Sequence, residues 1–557
     1  MSNYKYIKSV LILSLIAFGW GCQKKLDEDV RSGLTPDFFK TSQGLTAGLT
    51  AAYSGNRNLY GPETGLLTYT VVGTDEYRVA NGTRIQAVGN YSSDFNSSNE
   101  FSSNIWNTCY TYINTCNGIV DYGSNVTDLS KPKVDQMVAE AKFLRANYYF
   151  ILVQLFGSVT LNTHFQNTPS TTAEKAPLAD LYSFIVQDLN ESIPTLAASP
   201  QATGLDKGRA TAAAARMLLS KVLLTRAWSP ASKTTDADSA LKVADNLIND
   251  APALGIGLLP DFADVNKPLN ETNKEVLFTI QYSADQTYGG SGYNEMNHYF
   301  VTRYELNIPG LPQRDMVNGR PFAWIAGTSW LYNTAFADKA NDLRYNKSFQ
   351  KVWYADVAAS VTKNGQTYQI NVGDTALFMP GYDVSDAVIA SKSYVLIPPR
   401  KYNNYYFPTM TKYLDPNRTI SVNQNSTRPL IVYRFAEAYL IAAEAAFLKG
   451  DPINAAKYIN VLRTRAAYPS GDATLIQVSP SAVTLDYILD ERTREFCGEQ
   501  MRWFDLRRTR TLIDRVNKYD DYQAYLNIQA KDTLRPIPQS QIDAVITGDK
   551  YAQNPGW

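Results

Sequence analysis

Ile441-Ala442-Ala443-Glu444-Ala445-Ala446-Phe447-Leu448-Lys449-Gly450-Asp451-Pro452-Ile453-Asn454-Ala455-Ala456-Lys457-Tyr458-Ile459-Asn460-Val461-Leu462 is the stretch from which the fold can be read. Helical periodicity runs over Arg428 to Lys449 and resumes over Pro452 to Ala467, with Gly450-Asp451 as the turn between. Ala443 and Ala455 face each other across that turn, and Phe447, Ile459 and Leu462 supply the apolar packing. Small residues at this interval let two antiparallel helices approach closely, so the spacing predicts a helical hairpin.

The hairpin resembles the tetratricopeptide pattern, without the Trp and Pro of that signature. Working outward, the same periodicity predicts helices over Phe101 to Gly123 and Lys133 to Phe156, the latter through Met137, Ala141, Leu144, Tyr148, Ile151, Leu152 and Leu155. Asp180 to Leu196, Arg209 to Trp228 and Ala237 to Ile248 follow, punctuated by Gly204, Gly208 and Pro230. The helices pair into about four hairpins, a scaffold on which other elements can sit. Between Leu254 and Thr427 the pattern dissolves into short strand-like runs, such as Val276 to Ile280 and Tyr394 to Ile397, among Gly, Asn, Asp and Pro. A long loop-rich region inside a folded chain usually carries function. The predicted fold class is therefore mainly α: tetratricopeptide-like hairpins bearing an irregular region with short strands.

Lys+Arg and Asp+Glu both number 53, which leaves no basic excess for phosphates and argues against a nucleic-acid partner. The chain is rich instead in rings, with 37 Tyr, 8 Trp and 22 Phe against two histidines, His164 and His298. That balance favours contact surfaces over acid/base chemistry. No G-x-S-x-G elbow or carboxylate pair nominates a hydrolase, and no EF-hand loop supports calcium. Catalytic residues, metal ligands and cofactors are accordingly expected to be none, and the two histidines are read as surface or satisfied core residues.

Lys5 and Lys8 precede the apolar run Val10 to Phe18, too short for a comfortable permanent span, so residues 1–21 read as a signal peptide. The run ends in Gly19-Trp20-Gly21-Cys22, which resembles a bacterial lipobox and would make Cys22 the lipidated first residue; ordinary secretion is the alternative. Residues 22–37 form a charged tether, whose Asp27-Glu28-Asp29 cluster resembles a surface-export tag or serves as a plain solvated linker. Cys109, Cys116 and Cys497 remain, with no CxxC. The first two stand ~10 Å apart along a helix, beyond disulfide reach. They read as packing residues.

Four blocks in the last third resemble the SusD/RagB family of outer-membrane nutrient-binding lipoproteins. They are Arg434 to Ala445; Ile459-Asn460-Val461-Leu462-Arg463-Thr464-Arg465-Ala466; Glu491-Arg492-Thr493-Arg494-Glu495-Phe496-Cys497-Gly498-Glu499-Gln500-Met501-Arg502-Trp503-Phe504-Asp505-Leu506-Arg507-Arg508; and the ending Leu534 to Pro538 with Gln553-Asn554-Pro555-Gly556-Trp557. Ala139 to Phe150 and Leu155-Phe156-Gly157 add support near the front. The resemblance implies one SusD-like domain over 38–557, with repeats over about 38–251 and 428–467, a ligand region over about 254–427 and the family segment at 484–557. It further implies a lipid-anchored, outward-facing outer-membrane protein that captures oligosaccharide or peptide and hands it to a SusC-like TonB-dependent barrel transporter. Within Glu491 to Arg508 the three- and four-residue charge spacing predicts ion pairs along shared helix faces, with Trp503, Phe504 and Leu506 as core anchors.

Sugar capture needs flat apolar faces ringed by groups that bond hydroxyls. Two regions supply both: Tyr288 to Tyr332, containing Tyr293, Tyr304, Trp324 and Trp330, and Asp75-Glu76-Tyr77-Arg78 to Asn90-Tyr91. The candidate ligand residues are Asp75, Arg78, Tyr91, Tyr293, Tyr304, Trp324 and Trp330. The function so predicted is non-catalytic glycan capture, with peptide capture or a scaffold that docks partner chains as alternatives.

Overall fold

A computed structural model describes residues 35–283, 285, 294–312, 314–363 and 365–557. The signal peptide, Cys22 and Tyr293 lie outside the described residues. Eight long helices pack in chain order as four pairs: α1 (Ser42–Tyr60) with α2 (Glu100–Tyr122), α3 (Lys131–Phe156) with α4 (Leu178–Ser192), α5 (Ala212–Ala227) with α6 (Asp236–Leu254), and α7 (Ala436–Leu448) with α8 (Pro452–Ala466). Each pair also packs on the next, so the array is continuous even though residues 255–435 intervene before the last pair. The fold is mainly α and tetratricopeptide-like, as the periodicity predicts.

Local chemistry sets the helix starts. The side chains of Thr41, Asn99, Thr211 and Asp451 accept from Gly44, Phe101, Ala214 and Asn454 amides, satisfying donors that the first turn would otherwise leave unpaired. Gly450 closes α7 at φ +73°, a left-handed conformation that costs glycine little. Ala443, Ala446, Ala455 and Ala456 then bring α7 and α8 together around buried Ile459 and Leu462. Full burial of each of those branched chains contributes about 1.5–3 kcal/mol.

The intervening region departs from the array through β2 (Val276–Ile280) and returns through β11 (Leu430–Arg434), an antiparallel pair with Ile280 opposite Leu430 and Val276 opposite Arg434. Helical periodicity from Arg428 is thus corrected: residues 430–434 form a strand, because Ile431, Val432 and Tyr433 suit a pleated pairing with β2, and the helix begins at Ala436. The other described strands make small sheets. β1 (Tyr77–Val79) pairs with β3 (Ile325–Gly327), and β4 (Phe349–Gln350) with β10 (Thr409–Met410). β5 (Val352–Tyr354), β8 (Thr375–Phe378) and β9 (Val395–Leu396) form a three-stranded sheet, and β6 (Ala359–Lys363) and β7 (Gln366–Ile370) a hairpin. The region has its own core, with Val301, Tyr304, Trp353, Leu377 and Met379 buried together.

The family segment fastens this region to the array. It is not one helix: α9 (Leu485–Phe496) and α10 (Arg502–Arg508) flank a turn in which Gly498 and Gln500 take positive φ, and α11 (Leu512–Tyr519) follows. Of the pairs predicted along one face, Glu491 and Arg494 meet at 2.9 Å. Glu495 and Glu499 instead reach distant partners. Glu495 binds Arg344 of the loop region, Arg434 of β11 and Arg465 of α8, while Glu499 binds Arg434 and Lys412. Burial opposes the charge on Glu495, yet Arg465, Arg434 and Arg344 together hold its carboxyl far below the usual carboxylate range. Trp503 and Leu506 are fully buried and Phe504 nearly so. The chain end is stitched to α3: Asn554 donates to the carbonyls of Phe156 and Arg535, and the Trp557 indole donates to those of Lys531 and Leu534.

Candidate functional site

The two predicted regions meet where β1 and β3 pair. Beyond the sheet the chains stay in register, with the Ala80 amide bonded to the Trp324 carbonyl at 2.7 Å and the Asn81 amide to that of Ala323 at 2.8 Å. Gly82 is required here, since a Cβ would lie 2.9 Å from Trp324 Cβ. Ala323 takes φ +50°, a conformation that costs a residue with a Cβ about 1–2 kcal/mol.

This backbone presents a row of rings. Phe322 and Trp324 stack at 5.5 Å and 26°, and Trp324 lies 5.2 Å from Tyr299 at 30°. The Tyr299 amide carbonyl, in the short helix Met296–Tyr299, bonds the Trp324 amide at 3.0 Å. Phe322 and Trp324 are each partly exposed, while Tyr299 is buried. At one end the Arg320 guanidinium sits 4.2 Å from the Phe322 ring centre. Buried His298 backs Phe322 at 4.3 Å; burial first, then Arg320 and Arg418, push its imidazole well below its ordinary value, so the ring is neutral.

A polar group closes the other end. Tyr299 Oη lies 2.9 Å from Glu63 Oε2 and 2.5 Å from Glu295 Oε2, and Arg84 pairs with Glu63 and, at 2.9 Å, with Glu100. Burial, followed by the bond to Glu63 and its charge, raises the Glu295 carboxyl to about 7. Glu63 is shifted the opposite way: burial is outweighed by its bonds from Glu295 and Tyr299 and by Arg84. Below about pH 7 the pair therefore holds one proton and one charge.

The predicted residues divide sharply. Trp324 belongs to the ring row. Arg78, half-buried, bonds Asn404 at 2.6 Å, pairs with Asp521 at 3.1 Å and covers the Tyr522 ring. Asp75 is wholly buried and pairs with Arg502 and Arg515, both at 2.6 Å. Those guanidiniums, against the opposing effect of burial, hold its carboxyl below its ordinary value. Tyr91 is buried and donates to the Gly73 carbonyl, with Arg535 over its ring. Tyr304 lies in the core of the loop region, donating to the Gly319 carbonyl. Trp330 stacks on Tyr519 at 4.8 Å beneath the Arg515 guanidinium. For Asp75, Tyr91, Tyr304 and Trp330 the placement is a correction: all four are buried, at 5% exposure or less, and packed against other parts of the fold.

Sequence reasoning passed over Phe322, Arg320, Glu63, Arg84 and Glu295. The alternation Phe322-Ala323-Trp324 was the available signal for the first. Nothing local connects Glu63 with Glu295.

A family described as the SusD family matches residues 274–557, slightly more than half of the chain. The chain belongs to the SusD family. A second family, described as starch-binding and associating with the outer membrane, matches residues 26–224. Among relatives, a SusD-like protein of Formosa agariphila is 25% identical over 562 residues, covering 96% of each chain. The starch-binding protein SusD of Bacteroides thetaiotaomicron is 26% identical over 439 residues, 75% of this chain and 72% of that one. Of solved structures, a laminarin-binding SusD-like protein aligns with a TM-score of 0.64 at 22% identity, over 93% of this chain and all of the other. A surface glycan-binding protein A of B. thetaiotaomicron, in complex with laminarihexaose, aligns at 0.63 and 20%, over 92% of this chain and 99% of its own. At these identities the structural likeness speaks for the SusD fold: helical pairs carrying a large loop region.

Proposed function

We propose that the chain is a non-catalytic surface receptor that captures an oligosaccharide on the Phe322–Trp324 face and delivers it to a SusC-like TonB-dependent outer-membrane transporter, held to the membrane by a lipid on Cys22. The half-open ring row flanked by Arg320 and by the Glu63–Glu295 pair carries this reading. Ring faces suit the C–H surface of a sugar, and the Arg320 guanidinium beside them suits its hydroxyls. SusD-family relatives that bind starch or laminarin support the same substrate class.

The two carboxyls support binding over hydrolysis. A glycosidase holds its pair about 5–9.5 Å apart across an open cleft. Here Glu63 and Glu295 converge on one tyrosine hydroxyl behind the rings. Their proton serves that internal bond.

The test is a titration of the purified chain with malto- and laminari-oligosaccharides. Trp324→Ala is expected to weaken binding tenfold or more, the loss of about 1.4 kcal/mol of ring contact, and the sugar is recovered intact. Shortened products, or a Trp324→Ala affinity equal to that of the unmodified chain, refute the proposal.

A further inference from the structure

Almost every arginine buried in this fold is matched by a carboxylate. Arg145 pairs with Asp188, Arg226 with Asp236, Arg502 and Arg515 with Asp75, and Arg508 with Glu444 and Asp505. Arg507, half-buried beside Arg508, has no such partner among the described residues. Its Nε donates to the Thr533 carbonyl at 3.1 Å, and no carboxylate neutralises it among the described residues. Burial accordingly lowers its affinity for a proton.

Arg507 lines a cleft of about 450 Å³ between the end of α5 and the start of α11. That volume lies within the range of about 300–1,000 Å³ used by small-ligand sites. Arg510 lines the same cleft, exposed, with one bond of 3.4 Å to the Trp228 carbonyl and no carboxylate partner among the described residues. Leu512, Ile513 and Asp514, the first turn of α11, also line it, and the N-cap Thr511 supplies no side-chain cap. Uncapped first-turn amides and the positive end of the helix dipole attract oxyanions. Opposite stand Trp228, half-buried with its indole nitrogen on Glu444, and Pro230. Asp514 is the one carboxylate lining the cleft among the described residues, and Arg508 is neutralised by Glu444 and Asp505.

We propose that this cleft is a second ligand site, separate from the ring row, that takes an acidic sugar unit, with its carboxylate on Arg507, Arg510 and the α11 amides and its ring against Trp228 and Pro230. A guanidinium fork matches a carboxylate in plane and charge, and an indole beside proline gives the apolar wall that a pyranose ring needs. The chain thereby distinguishes acidic from neutral glycans at a place other than the Trp324 face.

The experiment is calorimetric titration of the purified chain with trigalacturonate, neutral galactotriose and sodium sulfate. Trigalacturonate is expected to bind saturably and to weaken at 0.5 M salt. Arg507→Gln and Arg510→Gln should each lower its affinity at least tenfold, and Asp514→Asn should raise it severalfold. Because Arg510 is exposed, Arg510→Gln keeps the test intact even if Arg507→Gln misfolds, and neutral-sugar binding on the Trp324 face should be unchanged in it. Absence of trigalacturonate binding, an affinity unmoved by Arg510→Gln, or a loss seen with Trp324→Ala instead, overturns the proposal. Sulfate binding as tightly as trigalacturonate overturns the saccharide assignment. None of these outcomes depends on whether the neutral-sugar proposal holds.

Discussion

Replacing Glu495 by Gln tests whether the family segment acts as a charge clamp. In the folded chain Oε1 accepts from Arg434 at 2.6 Å and from Arg465 at 2.5 Å, and Oε2 accepts from Arg344 at 3.0 Å. All four side chains are 5% exposed or less. Glutamine keeps the volume but turns one acceptor into a donor aimed at a guanidinium, and it removes a negative charge shared by three cations. Stripping one partner from a buried ion pair costs about 3–5 kcal/mol, because the remaining charge stays desolvated. Against a typical folding stability of about 5–15 kcal/mol, that is about a fifth of the total at the least. The control is Asp486→Asn, which removes a partner of Arg515 that is 71% exposed and should cost about 0–1 kcal/mol. Urea unfolding followed by circular dichroism and tryptophan fluorescence reads both as midpoint shifts at constant slope. A Glu495→Gln shift no larger than that of Asp486→Asn would falsify the clamp.

Four further outcomes follow from other parts of the structure. Glu295 carries a folded pKa of about 7, above its ordinary 4.5, so the folded state binds the extra proton between those values and loses stability as pH rises through that window; Glu295→Gln should raise the urea midpoint at pH 8 and leave it unchanged at pH 4. Glu495 and Glu491 work in the opposite sense, since their carboxyls are held below the ordinary value: the stability they add is complete above about pH 4.5 and drains away as the solution is acidified further, measurable as a falling midpoint between pH 4.5 and 3. Gly82→Ala should displace Trp324 and weaken oligosaccharide binding, measured by titration, by a larger factor than Gly257→Ala, whose Cβ meets nothing within 4 Å. Cys116 and Cys497 are buried, which pushes their thiols up to about 12 and 11, so thiol reagents should label them only after unfolding; rapid labelling of the native chain sinks that reading.

The helical array was legible because its information is local. Apolar spacing located α2, α3 and α8 within a few residues, and Ala443 with Ala455 revealed the last hairpin. β11 was not legible: Leu430 to Arg434 runs straight into α7, and only its pairing with β2, some 150 residues earlier, makes it a strand. The charge spacing in Glu491 to Arg508 pointed correctly to structural ion pairs but to the wrong partners. A turn at Gly498 splits the helix and sends Glu495 to Arg344 and Arg434, a choice that spacing cannot encode. Ring composition likewise identified a family of contacts without locating the open ones. Trp330 and Trp324 look equivalent in sequence; Tyr519 and Arg515, far along the chain, bury the first, while the second stays half-open.

The β2–β11 pair has a consequence for how such a protein can be altered. Because Ile280 and Leu430 stand side by side, the long excursion between them begins and ends at one place, and its replacement by a segment of different length leaves the spacing of the helices untouched. The chain is thus built like a tool with an exchangeable head. What any new head must retain are its anchoring bolts, Arg344 and Lys412, without which Glu495 and Glu499 each lose one of their counter-charges.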